Sequence, residues 1–263
     1  MSRRLLYIYL KIIYQQVQVI ERPARTRDGF EATIGVNHLG HFCLAALLRP
    51  TLAANRGRLV VTASGVHDPA SPGGLVQGDP ATGATLGDLS GLGRGPPPPI
   101  TGRTAPVMVN GATVFNGAKA YHDSKLCNVL FAREAHRRWR RADGVSVRAF
   151  NPGLITSTGL FRAARADNFF GTALFAFVAT NVAKFSVPVE VGGARLAYLA
   201  TADEDEVPSG SYLSAPSATS TAATVADGFG AAPVSAEASD DDLAARLWER
   251  SAEVVGLFDE IYA

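Results

Sequence analysis

The sequence predicts an α/β fold with a mostly parallel sheet, and three observations carry that expectation. Short apolar runs, Arg58–Thr62 (RLVVT) and Val145–Phe150, read as buried strands of the kind that parallel sheets use. Longer stretches with helical spacing, Asp28 to Leu52 and about Ala118 to Arg140, alternate with them. A chain of 263 residues, 47% of them apolar, is long enough for one domain with a sizeable core.

In chain order, Leu5 to Ile13 is rich in Leu, Ile and Tyr and suits a first buried strand. The helix from Asp28 to Leu52 presents Leu39, Phe42, Ala46 and Leu47 as its apolar stripe. From His67 to Thr113 the chain is dominated by Gly, Pro, Thr and Asp and reads as one long loop. After the second helix and strand comes an aromatic-rich stretch, with Phe161, Phe169, Phe170, Phe175, Phe177 and Phe185. Val189 to Ala200 is a further helix and Gly210 to Ser214 a short last strand. Ser214 to Ser235 is low-complexity Ala/Ser/Thr/Gly and is expected to be mobile. A C-terminal helix starts at Ser239 as N-cap, carries acidic residues in its first turn and buries Leu243, Leu247, Val254 and Phe258.

A net charge of +1 argues against nucleic acid as the main partner. The basic run Arg137–Arg141 reads as a solvated helix end. Two cysteines, Cys43 and Cys127, imply no disulfide framework and fit a reducing compartment. No stretch reaches the roughly 18 apolar residues of a spanning helix. Lys11 interrupts the apolar N-terminal run and no small-residue cleavage site follows, so no targeting peptide is read there.

The chemistry centres on Gly117 to Leu130, GAKAYHDSKLCNVL. Tyr121 and Lys125 stand four apart in a helical run and share a face. A fixed cation beside a phenol, whose ordinary pKa is about 10, is expected to lower it toward a useful range. Cys127 lies two residues on, rotated roughly 200° from Lys125. Buried, inert cysteine is its commoner fate. His38 and His41 are spaced to share a metal, but no third ligand is near and none is expected.

The order Asn37, Ser64, Tyr121, Lys125, then Pro152-Gly153, resembles the catalytic half of the short-chain dehydrogenase/reductase superfamily. Leu86-Gly-Asp-Leu-Ser-Gly-Leu92, Phe115 to Asn128, Thr158-Gly-Leu-Phe-Arg162, Ser239-Asp-Asp-Asp and Leu247-Trp-Glu-Arg-Ser251 narrow it to the light-dependent protochlorophyllide oxidoreductase branch. The resemblance implies a Rossmann-type three-layer sandwich over residues 1–263. It further implies NADPH-dependent, light-driven reduction of protochlorophyllide in a chloroplast, with peripheral membrane association and self-association left open. By resemblance Tyr121 is the proton or hydrogen-bond donor and Lys125 reaches the nicotinamide ribose. Ser64 orients substrate or tyrosine, and Asn37 holds a water-linked path to the lysine. Pro152 and Gly153, with Ser157 or Thr158, contact the nicotinamide amide. Cys127 is a candidate for proton chemistry at the pigment, and the aromatic stretch is a wall suited to a tetrapyrrole.

The superfamily's T-G-x-x-x-G-x-G turn, which lets a helix N-terminus approach a diphosphate, has no counterpart before Asn37. Gly91-Leu-Gly-Arg-Gly95 is followed by four prolines and reads as loop. The expectation is therefore a chain lacking the N-terminal cofactor-binding part, which binds NADPH weakly or not at all, is prone to aggregate and shows no light-dependent reduction. Two other readings stay open: a carbonyl- or retinol-type reductase using the same residues, and a non-catalytic pigment-binding or dimerising module. Val66 and Tyr212-Leu-Ser-Ala depart from the branch's usual residues.

Overall fold

The structure, a computed structural model, describes residues 23–94, 107–157 and 186–257. The strand expected at Leu5–Ile13, the aromatic stretch up to Phe185, Thr158 and Phe258 lie outside the described residues.

Helix α1 comprises Ala32–Ile34, a π turn at Gly35–Leu39 and Gly40–Ala54. It starts later than the periodicity suggested, because the Glu31 carboxylate caps it by accepting from Thr33 N at 2.8 Å and Ile34 N at 2.9 Å. Asp28 sits in the preceding turn. Strand β1, Arg58–Thr62, follows as expected. Helix α2 runs through Gly117–Ala135, a π turn at His136–Arg140 and Arg141–Asp143. Asn116 caps its start and Gly144, at φ +68°, ends it. Strand β2, Ser146–Phe150, helix α3, Val189–Thr201, strand β3, Tyr212–Ser214, strand β4, Gly230–Ala231, and helix α4, Asp241–Val255, complete the chain order.

The strands lie in the order β1-β2-β3-β4. β1, β2 and β3 are parallel, with Thr62 opposite Phe150 and Phe150 opposite Leu213, while β4 returns antiparallel along β3. Alternation along the strands feeds two cores. Leu59, Val61, Val147 and Ala149 pack toward α1, α2 and α4. Val60, Phe150 and Leu213 pack with Leu199 of α3 and with Phe229. Helices thus cover both faces, which is why these strands read as continuous apolar runs. The fold is the Rossmann-type α/β arrangement that the sequence predicted.

Four expectations need correction. Leu47 is exposed, because the face that α1 turns into the core runs through Leu39, Phe42, Ala45 and Leu52. The basic run is not all solvated: Trp139 is 1% exposed, and Arg137 and Arg138 pair with Glu134 at 2.8 and 2.6 Å. The C-terminal helix is capped by Asp240, which accepts from Leu243 N at 2.9 Å, one residue after Ser239. The stretch after Ser214, expected to be mobile, contributes β4 and is pinned by buried Arg195, which donates to Ser220 O at 2.7 Å and Ala222 O at 2.8 Å.

Trp248 of α4 meets Phe42, Phe131 and Trp139 with ring centroids 5.1, 5.8 and 5.4 Å apart, joining three helices. Truncating this buried indole leaves a large void, so Trp248→Ala is expected to lower stability by about 3–5 kcal/mol in urea unfolding. A loss below about 1 kcal/mol would show that this cluster does not hold α4 to the fold.

Candidate functional site

Of the sequence-predicted residues, Ser64, Tyr121, Lys125, Pro152 and Gly153 gather at the carboxyl ends of β1 and β2, the edge where open parallel sheets present ligand crevices. Ser64 lies two residues beyond β1. Its hydroxyl hydrogen-bonds the Tyr121 phenol and also accepts from Val66 N at 3.5 Å. Lys125 stands one turn along α2, its ammonium 5.6 Å from the centroid of the Tyr121 ring. Lys125 is 1% exposed, and its amine donates to one described acceptor, the carbonyl of Thr62, at 3.4 Å.

The electrostatics differ from the simple expectation of a cation lowering a phenol. Burial pushes the Tyr121 hydroxyl well up, with the Ser64 bond opposing in part. Burial also pushes the Lys125 ammonium down to about 7. Both shifts disfavour charge inside the protein. The pair is therefore a protonated phenol beside an amine that is easily made neutral.

Asn37 occupies the π turn of α1, the kind of helix irregularity often found at functional sites. Its amide donates to Ser124 Oγ at 3.1 Å, and Ser124 Oγ donates to the Tyr121 carbonyl at 2.7 Å. Asn37 thus touches the helix that carries the pair. His41 Nδ1 donates to the Asn37 carbonyl at 2.9 Å, while His38 Nε2 meets Ser251 Oγ at 2.9 Å, so the two imidazoles serve different partners.

Beyond β2, Asn151 Oδ1 accepts from Gly153 N at 3.1 Å, and Arg195 donates to the Pro152 carbonyl at 2.8 Å. Gly153 has φ +87°, and a Cβ there would lie 2.8 Å from Val187 Cγ2, so the turn requires glycine. Ser157 is exposed a few residues on. Cys127 faces away from this group, fully buried in the core between the strands and helices α1, α2 and α4. Burial first, then the Asp123 and Glu237 carboxylates, drive its thiol pKa well up.

The long insertion is not a free loop where it is described. Lys119 donates to Gly83 O at 3.3 Å, Thr85 O at 3.0 Å and both Asp123 oxygens at 2.8 and 3.0 Å. Asp123 accepts from Thr85 N, Glu237 accepts from Leu86 N at 2.7 Å, and His122 Nδ1 donates to Thr82 O at 2.7 Å. Leu86, Leu89 and Leu92 are buried beneath. Gly91 admits the close approach of Met108, whose carbonyl oxygen would sit 1.7 Å from a Cβ.

His67 was not singled out from sequence. Its Nδ1 donates to the Ser64 carbonyl at 2.6 Å and its Nε2 accepts from Ser235 N at 3.4 Å, fixing the neutral ring and steadying the serine's backbone. Its position three residues past Ser64 was the available signal. A cavity of about 150 Å³ lies elsewhere, lined by Val129, Ala132, Val147 and Tyr212 rather than by Tyr121 or Lys125.

A nicotinamide cofactor can be tested against these residues. A buried amine with one acceptor at 3.4 Å keeps donors to spare, which suits ribose hydroxyls. The open turn at Pro152–Gly153 lies at the same sheet edge. Holders for the diphosphate are not found among the described residues.

No family model matches the chain. It is 36% identical over 240 residues to "Protochlorophyllide reductase, chloroplastic" of Pisum sativum, covering 90% of this chain and 55% of that protein. It is 36% identical over 239 residues to "Protochlorophyllide reductase" of Avena sativa, covering 90% of this chain and 70% of that protein. A third relative, "Protochlorophyllide reductase B, chloroplastic" of Hordeum vulgare, is 37% identical over 240 residues. The chain spans about half the length of the first of these. A solved structure of an uncharacterised protein from Mycobacterium Paratuberculosis matches with a TM-score of 0.55 at 24% identity, covering 91% of this chain and 64% of that one, and shows the fold.

The site carries a pH signature. Burial, helped by the charge of His41, pushes His38 down to about 3 from an ordinary value of 6.5. A histidine depressed on folding contributes stability that is present above 6.5 and is lost as pH falls from 6.5 toward 3. Between pH 6.5 and 5 this amounts to about 2 kcal/mol. Urea unfolding at those two pH values should show that loss, and His38→Gln should remove most of it. An equal pH dependence in the variant would place the titration elsewhere.

Proposed function

The chain belongs to the protochlorophyllide reductase family, and from that membership we propose that its site serves the NADPH-dependent, light-driven reduction of a protochlorophyllide double bond to give chlorophyllide. The observation that carries the reading is the protonated Tyr121 phenol bound by Ser64, with Lys125 beside its ring, at the open edge of the parallel sheet. The plastid is the proposed location, following the chloroplastic names of the relatives.

When bound, NADPH supplies a hydride to one carbon of the double bond. Tyr121 delivers the proton to the other carbon, so that the C=C bond becomes a C–C single bond with two new C–H bonds. The phenolate left behind is stabilised by the Ser64 hydroxyl and by Lys125 as ammonium, and takes a proton back from solvent. Lys125 would hold the ribose with the donors that Thr62 leaves free, and Pro152 and Gly153, with Ser157 or Thr158, would contact the nicotinamide amide. Asn37 keeps α2 in place through Ser124, with a water-linked path to Lys125 beside it. Cys127 is read as part of the core, since its thiol is both buried and held protonated.

The test is illumination of protochlorophyllide and NADPH with this chain, and with a chimera carrying the amino-terminal part of the pea relative. Tyr121→Phe keeps the ring and removes the donor, so turnover should fall roughly a hundredfold or more with the fold intact. Turnover within about threefold of the parent would remove Tyr121 from the role assigned to it.

A further inference from the structure

Lys125 and Asn128 lie three residues apart on one face of α2 and reach the same atom, the Thr62 carbonyl oxygen where β1 ends. Lys125 Nζ donates at 3.4 Å and Asn128 Nδ2 at 3.2 Å. A carbonyl oxygen has two lone pairs, so Asn128 takes one and leaves the lysine the other. The orientation of the Asn128 amide is thereby set, with Nδ2 on Thr62 and Oδ1 turned away.

The Asn128 side chain in turn acts on His38. Asn128 Oδ1 and His38 Nδ1 are both buried without a well-aligned hydrogen-bond partner, and the Asn128 side chain acts on the His38 ring. The other ring nitrogen, Nε2, is 2.9 Å from Ser251 Oγ of α4. One proton assignment satisfies every member. Ser251 Oγ–H donates to His38 Nε2, His38 Nδ1–H points at Asn128 Oδ1, and Asn128 Nδ2–H donates to Thr62 O. Asn128, His38 and Ser251 are 1%, 1% and 0% exposed, so water offers them no alternative.

We propose that Asn128, backed by His38 and Ser251, is a positioning residue for Lys125: by sharing the Thr62 carbonyl it keeps that oxygen from drawing the lysine amine fully onto the strand, leaving the amine's other protons for Tyr121 and the crevice. His38 is kept neutral by burial down to about pH 3, so the assignment does not change across any working pH. No charged side chain of the described residues acts on Lys125, whose shift has burial as its cause, so the amine reports on its local partners. The proposal rests on the functional reading only in taking Lys125 as the group that matters.

The chain contains four lysines, Lys11, Lys119, Lys125 and Lys184, which makes the amine directly observable. With ¹³C-lysine-labelled protein, each Cε resonance is followed against pH and Lys125 is assigned by its loss in Lys125→Arg. The wild-type midpoint is expected at about 7. In Asn128→Ala the Thr62 carbonyl loses its second donor and accepts more strongly from the ammonium, and the space left lessens its burial, so the midpoint should rise by about one unit. Ser251→Ala, which changes little volume and does not touch the lysine, should move the same resonance in the same direction by less. Ala244→Gly, buried on the same helix but outside the chain of bonds, should leave it in place. A Lys125 midpoint unmoved in Asn128→Ala overturns the proposal. Should that variant not fold, an unmoved midpoint in Ser251→Ala does so. The readout needs neither pigment nor cofactor, so a failed reduction assay alongside a shifted midpoint would count against the proposed function alone.

Discussion

A single carbonyl oxygen, that of Thr62, couples the sheet to the helix that carries the chemistry. It lies at the last residue of β1, where the parallel ladder stops. Two side chains from successive turns of α2 converge on it. That arrangement accounts for the burial of Lys125 and hence for the low value of its ammonium. The phenol one turn earlier is bound by Ser64 from the same strand end. Strand, helix and site are therefore one construction: α2 cannot shift along β1 without moving Tyr121 and Lys125 relative to Ser64.

The opposite side of α2 is held by charge. Lys119, Asp123 and Glu237 clasp the backbone of Gly83 to Leu86, so that the insertion is fastened to the helix by buried, hydrogen-bonded ions. Removing one partner of such a set leaves an uncompensated charge in a dry place, which costs far more than a surface pair contributes. Burial outweighs the ion pair at Asp123, whose carboxyl is pushed up to about 6. The motif residues around Leu86 and Leu89 thus act as a cap on α2 and α4 rather than as loose connection.

Much of this was legible in the chain. The RLVVT strand, the Tyr121–Lys125 helix and the serine beyond the strand follow from local patterns, and the structure brings them together. Two of the misreadings share a cause: they turn on contacts distant in sequence. Trp139 looks solvated among arginines until α4 supplies Trp248. The polar stretch after Ser214 looks unanchored until Arg195, from a helix before it, reaches its carbonyls. The lysine was expected to acidify the tyrosine because its charge was counted without the cost of burying it. Asn128 and His67, each three residues from a residue already singled out, were visible only as spacing. What gives them meaning is the partner across the fold.

The central claim is that Tyr121, Ser64 and Lys125 form the reacting edge of a pigment site in this chain. The most direct measurement is an absorption-monitored titration of the chain with protochlorophyllide, repeated with Tyr121→Phe and Ser64→Ala combined. The account predicts a saturable shift of the pigment band for the parent and a distinctly smaller or displaced shift for the double variant. A parent that leaves the band unshifted, or a double variant whose shift superimposes on the parent's, would contradict it.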